Sequence, residues 1–212
     1  MKKKTLQKFS RLFASLVLVG AMSLGTVAPV NAANADGSLT WTETQTAEAA
    51  LTVEYKMGKN VPTPTTTFTY EFTKQSFNSE TTTTVKNNMP DITAKTVNFT
   101  VANGTDLSTD DTYKLVKGQT TNFLADFAKI LKDSPASTNG VGIYQYKVSQ
   151  KIPSSITPNN TLDTLVESKV EYTVNIYVAQ KADKTGLYIK GLVVTQSKDE
   201  SGNESTGSGK ID

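Results

Sequence analysis

The amino-acid sequence predicts an all-β domain built as an antiparallel β-sandwich. Three stretches in the second half of the chain, 142–150, 171–178 and 186–190, alternate apolar and polar residues with period two. This alternation is typical of half-buried strands, because successive side chains of a strand point to opposite faces of the sheet. Turn residues separate the stretches, and roughly seven to nine short strands of this kind favour two packed antiparallel sheets.

The first half of the chain contains weaker strand patterns. In chain order they are a lead strand or arm within 36–48, then 51–55, 68–72, 97–101 and a short stretch at 113–116. Pro62 and Pro64 break the pattern between two of these strands. Residues 75–91 are rich in Ser, Thr and Asn, a composition that predicts a loop.

Residues 121–132 have a different period. The apolar side chains recur at helical spacing, at Phe123, Leu124, Phe127, Ile130 and Leu131. The spacing predicts one short helix that crosses the end of the sandwich.

Residues 1–32 have the pattern of an export signal peptide. Five basic residues precede a mostly apolar or small stretch from Leu12 to Ala28. Small residues then predict cleavage after Ala32, with Ala35 as a second option. We therefore expect a secreted or cell-surface protein with no membrane attachment after signal cleavage.

Charge and composition exclude several functional classes. The chain has 22 basic and 20 acidic residues, a net charge of +2, but five of the basic residues lie in 1–32. The remainder has 17 basic and 20 acidic residues, a net charge of −3, so no nucleic-acid partner is expected. The chain has no Cys and no His, which excludes disulfides, thiol nucleophiles, Ser-His-Asp catalysis and typical zinc sites.

The acidic residues form no recognisable catalytic pair. The carboxylates considered are Asp91, Asp110, Asp111 and Asp126. Asp110 and Asp111 follow a Ser/Thr turn, a position that suits capping. We expect neither enzymatic activity nor a cofactor or metal.

The strand segments also resemble a known family. The segments that carry the resemblance are 51–57, 62–72, 142–150, 172–178, 181–183 and 186–189. In this order they resemble the streptococcal pilin isopeptide-linkage domain, the building block of Gram-positive major pilins, over about residues 48–195. The resemblance implies an immunoglobulin-like sandwich stacked head to tail in a fibre. It also implies a strand near Phe123–Phe127, where the spacing predicts a helix.

Many members of that family carry an internal Lys–Asn amide bond, assisted by a buried acid. Alignment of the segments places the lysine slot on Val53 and the acid slot on Gln150, and neither residue can perform the chemistry. A shifted alignment makes Lys56 the reactive amine. The Asn-bearing strand would begin near Lys210 and continue beyond Asp212. The resemblance therefore implies a degenerate isopeptide site.

The family is polymerised by a sortase, which joins a surface lysine to the next subunit. By position after the last visible strand, Lys198 is the candidate for this linkage, although no Tyr-Pro-Lys type motif is present. The expected organisation is a signal peptide at 1–32, an N-terminal arm at 33–48, the pilin-type sandwich at 49–198 and a polar loop at 199–212 that leads to a missing final strand.

Two functional hypotheses follow from the sequence. The first is a structural or adhesive subunit on the surface of a Gram-positive bacterium, with other subunits, the cell wall through sortase, or a host ligand as partners. The alternative is a secreted carbohydrate- or matrix-binding module that uses Trp41 and exposed tyrosines as stacking platforms.

Overall fold

A computed structural model describes residues 17–19, 38–59, 63, 65–100, 106, 109, 111, 113–151, 169–199 and 201–204, with backbone only for 17–19, 54–58 and 113. The strands in this part of the chain are β1 (Val17–Val19), β2 (Ser38–Thr40), β3 (Ala50–Gly58), β4 (Thr66–Phe77), β5 (Lys95–Phe99), β6 (Tyr113–Gln119), β7 (Gly142–Lys151), β8 (Glu171–Gln180) and β9 (Leu187–Lys198). The helices are α1 (Thr83–Asn87) and α2 (Leu124–Asp133), the second followed by a 3-10 turn at Pro135–Ser137.

All pairings among the described strands are antiparallel, and these strands form two sheets. One sheet has the order β1-β3-β6, and the other has the order β2-β9-β8-β7-β4-β5. Apolar residues from both sheets belong to one continuous buried core. The predicted all-β antiparallel fold is confirmed.

Alternation along the strands builds the inner face of the large sheet. On β7, Tyr144, Tyr146 and Val148 are fully buried, while the two residues between them are partly exposed. β8 repeats the pattern with Val174 and Ile176. Burial of these side chains is the main favourable contribution to the fold, at roughly 1.5–3 kcal/mol for each large apolar side chain.

The small sheet packs closely on this face. Gly118 of β6 lies close to β5, because a Cβ atom there would be 2.4 Å from Val97 Cγ1. The missing side chain at Gly118 is therefore what allows β6 and β5 to pack at this separation.

The helix predicted near 121–132 is present as α2. Its buried residues Leu124, Phe127 and Leu131 follow the helical period, and the Phe127 ring contacts Tyr144 edge-on at a centroid distance of 5.1 Å. The strand that the family resemblance implies here is wrong. Periodicity decides the local structure because α2 has an apolar stripe to bury against β7.

The predicted loop at 75–91 is wrong at two places. β4 continues to Phe77, and α1 occupies Thr83–Asn87 with Thr82 as its N-cap, whose Oγ1 accepts a hydrogen bond from the Val85 N–H at 3.4 Å. None of the residues of α1 is buried, so no apolar period marks it in the sequence.

The N-terminal arm expected at 33–48 contributes directly to the large sheet. β2 pairs with β9, and both Leu39 and Trp41 are buried in the core. The two predicted cleavage positions and residues 205–212 lie outside the described residues. In the described part of the chain, no helix combines the length and apolarity needed to cross a membrane.

Candidate functional site

The acid slot lies in the interior of the large sheet. Gln150, near the end of β7, has Tyr70 of β4 as its cross-strand partner, and the exposed fractions of these residues are 9% and 4%. The Tyr70 hydroxyl donates a long hydrogen bond of 3.5 Å to Gln150 Oε1. The site therefore holds a neutral amide and a phenol. Gln150 has no carboxyl group that could act as a general acid.

The lysine slot lies in the small sheet and is also neutral. Val53 is 1% exposed and pairs across the ladder with Gly118 of β6. An aliphatic side chain at this position adds to the core and offers no nucleophile. The structure thus places both slots in buried positions without giving either one a reactive group.

The other elements of the predicted isopeptide site are only partly visible. The backbone of Lys56 pairs with Leu115 in the β3–β6 ladder, and its side chain lies outside the described residues. Lys210 and Asp212 also lie outside them. The reactive-lysine prediction for Lys56 stays a prediction.

Lys198, the predicted linkage lysine, belongs to a three-residue ion cluster. Its Nζ lies 3.0 Å from Glu171 Oε2, and Lys147 Nζ lies 3.2 Å from Glu171 Oε1. Burial alone would raise the pKa of the Glu171 carboxyl, but hydrogen bonds and charge from the two lysines outweigh burial and lower it. The hydrogen bond to Glu171 raises the pKa of Lys198, so its amine is held in the protonated form.

A second ion cluster was missed by sequence reasoning. Lys95 of β5 has 11% of its side chain exposed, and its Nζ lies 3.1 Å from both Asp126 Oδ2 of α2 and Thr93 Oγ1. The Thr93 hydroxyl donates a hydrogen bond to Asp126 Oδ2 at 2.5 Å, and this bond and Lys95 together lower the pKa of Asp126. The cluster ties α2 to β5.

The alternation of side chains along β5 could have predicted that Lys95 is buried. Val97 and Phe99 point into the core, so a lysine two residues earlier shares their face. Its partner Asp126 could not be identified this way, because that contact depends on where α2 docks.

The remaining predicted carboxylates do not form a catalytic pair in the described residues. Asp91 makes an ion pair of 2.6 Å with Lys74, Asp111 is exposed, and Asp110 is not described. No cluster of three or more His, Cys, Asp or Glu side chains suited to a metal ion occurs within the described ranges.

The outer face of the large sheet carries one exposed apolar pair. Ile143 and Tyr177 are cross-strand partners on β7 and β8, and each is 37% exposed. Beside them, Gln145 Nε2 donates a hydrogen bond of 3.1 Å to Asn175 Oδ1. Trp41, predicted as a stacking platform, is 6% exposed, so that assignment is wrong for the tryptophan.

Comparison of the chain with protein-family models and with curated proteins finds no match in either case.

Proposed function

We propose that this chain is a pilin-type structural or adhesive subunit, exported by a Gram-positive bacterium and displayed on its surface. The observation that carries the proposal is the placement of the strand segments that resemble the family. Most of their residues fall on β3, β4, β7, β8 and β9, while 181–183 lies in the turn between β8 and β9. The last four of these strands are neighbours in one sheet. A sheet of six hydrogen-bonded strands is suited to bear load along a fibre.

The two neutral slots bear on whether the proposed subunit contains an internal cross-link. Val53 and Gln150 are both buried and uncharged. A single charged residue at either position would lie unpaired in the core, at a cost of several kcal/mol. The domain would therefore hold together by packing, without an internal cross-link at these positions.

Polymer formation is the direct test of this function. Cell-surface extracts, boiled in SDS and probed with an antibody to the domain, should show a ladder of covalent multimers. Lys198→Arg should collapse the ladder to monomer, because arginine keeps the ion pair with Glu171 but cannot form the amide bond. Lys190→Arg on the same strand is the matched control, because Lys190 is exposed and should leave the ladder intact.

Two outcomes distinguish the pilin function from the linkage role of Lys198. A monomer band alone from the unmutated protein on its own host contradicts the pilin function. A ladder that persists in Lys198→Arg keeps the pilin function and rules out Lys198 as the linkage residue.

The alternative function has one observation in its favour. Tyr177 and Ile143 present an exposed aromatic-aliphatic pair next to the Gln145–Asn175 amides, and aromatic faces beside amide groups suit sugar rings. Glycan-array binding that is lost in Tyr177→Ala and retained in Tyr188→Ala would favour a carbohydrate-binding module. Absence of glycan binding by the unmutated protein would remove this alternative.

A further inference from the structure

A side chain from the turn before β7 caps the C-terminal end of α1. Asn139 Nδ2 donates a hydrogen bond of 2.8 Å to the Val85 carbonyl in α1. The N–H groups of Asn88 and Met89, which follow the helix, bond to the carbonyls on either side of Val85. The Val85 carbonyl is one of the terminal carbonyls that a helix leaves without an internal partner, and Asn139 satisfies it from a distant part of the chain.

The cap at Val85 matters because α1 buries no apolar face. None of the residues of α1 is buried, and a helix of five residues is not stable in water on its own. Its N-terminal cap, Thr82, belongs to the same segment and so does not tie the helix to the rest of the domain. The hydrogen bond from Asn139 therefore anchors α1 to the turn before β7.

Asn139 is followed by Gly140, the pair at which an asparagine side chain loses ammonia most readily. The main-chain nitrogen of the following residue attacks the side-chain carbonyl carbon, and a glycine has no Cβ to hinder that approach. Gly140 has a φ of +84°, and a Cβ atom there would meet no other atom within 4 Å. The turn therefore has room for the cyclic product.

The reaction needs no reagent other than water. The Gly140 nitrogen forms a bond to Asn139 Cγ and loses its proton, while the Cγ–Nδ2 bond breaks and the side-chain nitrogen leaves as ammonia. Water then opens the cyclic imide and leaves either aspartate or isoaspartate at position 139.

Two hydrogen bonds hold this reaction back in the folded turn. The bond to Val85 fixes the Asn139 amide, and the Gly140 N–H donates to Thr138 Oγ1 at 3.2 Å, so the attacking nitrogen is engaged. Both bonds must open before the ring can close. Asn139 and Gly140 are only partly buried, so opening exposes no core residue.

We propose that Asn139 is a self-modification site, held back by the Gly140–Thr138 hydrogen bond, and that its deamidation releases α1 from the turn before β7. A carboxylate has only acceptor oxygens, so it cannot donate to the Val85 carbonyl. Its negative charge is also unfavourable beside the C-terminal end of a helix. The modification is irreversible and accumulates with the age of the protein. It does not depend on the proposed pilin function.

Peptide mapping of the aged full chain by mass spectrometry tests the modification. During incubation in mildly alkaline buffer, aspartate and isoaspartate should accumulate at position 139, more slowly than in a synthetic peptide of residues 134–145. Digestion in mild acid prevents further deamidation during mapping. Thr138→Val frees the Gly140 N–H and should accelerate the reaction about fivefold, the equivalent of one lost hydrogen bond.

Ser137→Ala is the matched control for Thr138→Val. Ser137 Oγ donates to the Ser134 carbonyl in the same turn, so the variant loses a local hydrogen bond that involves neither reacting group. Its deamidation rate should equal that of the unmutated chain. Asn139 that stays intact in the folded chain over many half-lives of the peptide overturns the proposal. An unchanged rate in Thr138→Val overturns it equally.

Limited trypsin digestion of the folded full chain tests the release of α1. Lys86 lies in α1, so cleavage after it reports opening of the helix. Asn139→Asp reproduces the aspartate product. It should raise cleavage after Lys86 about fivefold relative to cleavage after Lys184, which is exposed in the turn between β8 and β9.

Ser137→Asp is the control for charge, because it adds a carboxylate to the same turn while Asn139 stays in place. The ratio of cleavage after Lys86 to cleavage after Lys184 should not change in this variant. An unchanged ratio in Asn139→Asp overturns the proposed release. An equal rise in both variants overturns it too, because charge alone would then explain the opening. A missing SDS ladder would contradict the pilin proposal and leave all of these measurements unchanged.

Discussion

The hydroxyl of Tyr70 donates a hydrogen bond of 3.5 Å to the side-chain carbonyl of Gln150, inside the sheet where the family resemblance places an acid. Both residues are buried. An amide and a phenol, which are neutral at physiological pH, therefore stand where the resemblance predicts a carboxylic acid. A neutral, packed pair thus occupies the position at which the resemblance predicts a reactive acid.

Gln150→Glu should destabilise the domain in a pH-dependent way. Burial raises the pKa of a carboxyl above its unfolded value of about 4.3, so the folded state holds the proton longer than the unfolded state. The penalty should be small below pH 4 and grow as the pH rises, reaching on the order of 2 kcal/mol at pH 7.

Urea unfolding of Gln150→Glu at a series of pH values measures this effect. Tyr70→Phe is the control, because it removes only a long hydrogen bond and should cost under about 1 kcal/mol at every pH. If the free energy of unfolding that Gln150→Glu loses relative to the unmutated protein is the same at pH 4 and pH 7, residue 150 is in contact with water.

Gly118→Ala should destabilise the domain by about 1–3 kcal/mol, because the added Cβ lies 2.4 Å from Val97 Cγ1. Val97→Ala removes that atom and should itself cost roughly 2–3 kcal/mol, because two buried methyl groups are lost. The double variant should be more stable than the sum of the two single effects predicts. Strict additivity in a double-mutant cycle would show that β5 and β6 do not meet at this point.

Glu171→Gln should reduce the acid sensitivity of the domain. The pKa of Glu171 is lowered in the folded protein, so its contribution to stability is present above its unfolded pKa of about 4.3 and is lost as the pH falls through the folded value. The variant should melt a few degrees lower at pH 7, and the two melting curves should converge near pH 3.

Thermal melts of both proteins from pH 7 to pH 3 provide the measurement. Glu80→Gln, at an exposed position, should follow the unmutated protein throughout. If Glu171→Gln keeps the same acid-induced fall in Tm as the unmutated protein, the cluster with Lys147 and Lys198 contributes nothing to acid stability.

Local periodicity was sufficient where a strand or helix buries one face. Alternation at Tyr144, Tyr146 and Val148 located β7, and the helical spacing of Phe127 and Leu131 located α2. α1 was missed because it has no buried residue, so its formation depends on capping by Thr82 and leaves no apolar pattern.

Contacts between distant residues could not be predicted from one sequence. Trp41 is buried because β2 pairs with β9, and the backbone N–H of Trp41 donates a hydrogen bond to the Lys190 carbonyl at 2.9 Å. The Lys95–Asp126 ion pair depends in the same way on the docking of α2. A pattern of residue types specifies which face of an element is apolar, and it does not specify the element that covers it.

The mass of the folded protein tests the degenerate-site account most directly. Formation of a Lys–Asn amide bond releases one ammonia, so a cross-linked chain is lighter than its sequence by that amount. Because Val53 and Gln150 stand where the family resemblance places the lysine and the acid, the intact mass of the folded protein should match its sequence mass. Tryptic digestion should yield no branched peptide. A deficit of one ammonia, mapped to Lys56 or to any other lysine, would contradict the assignment of the two slots.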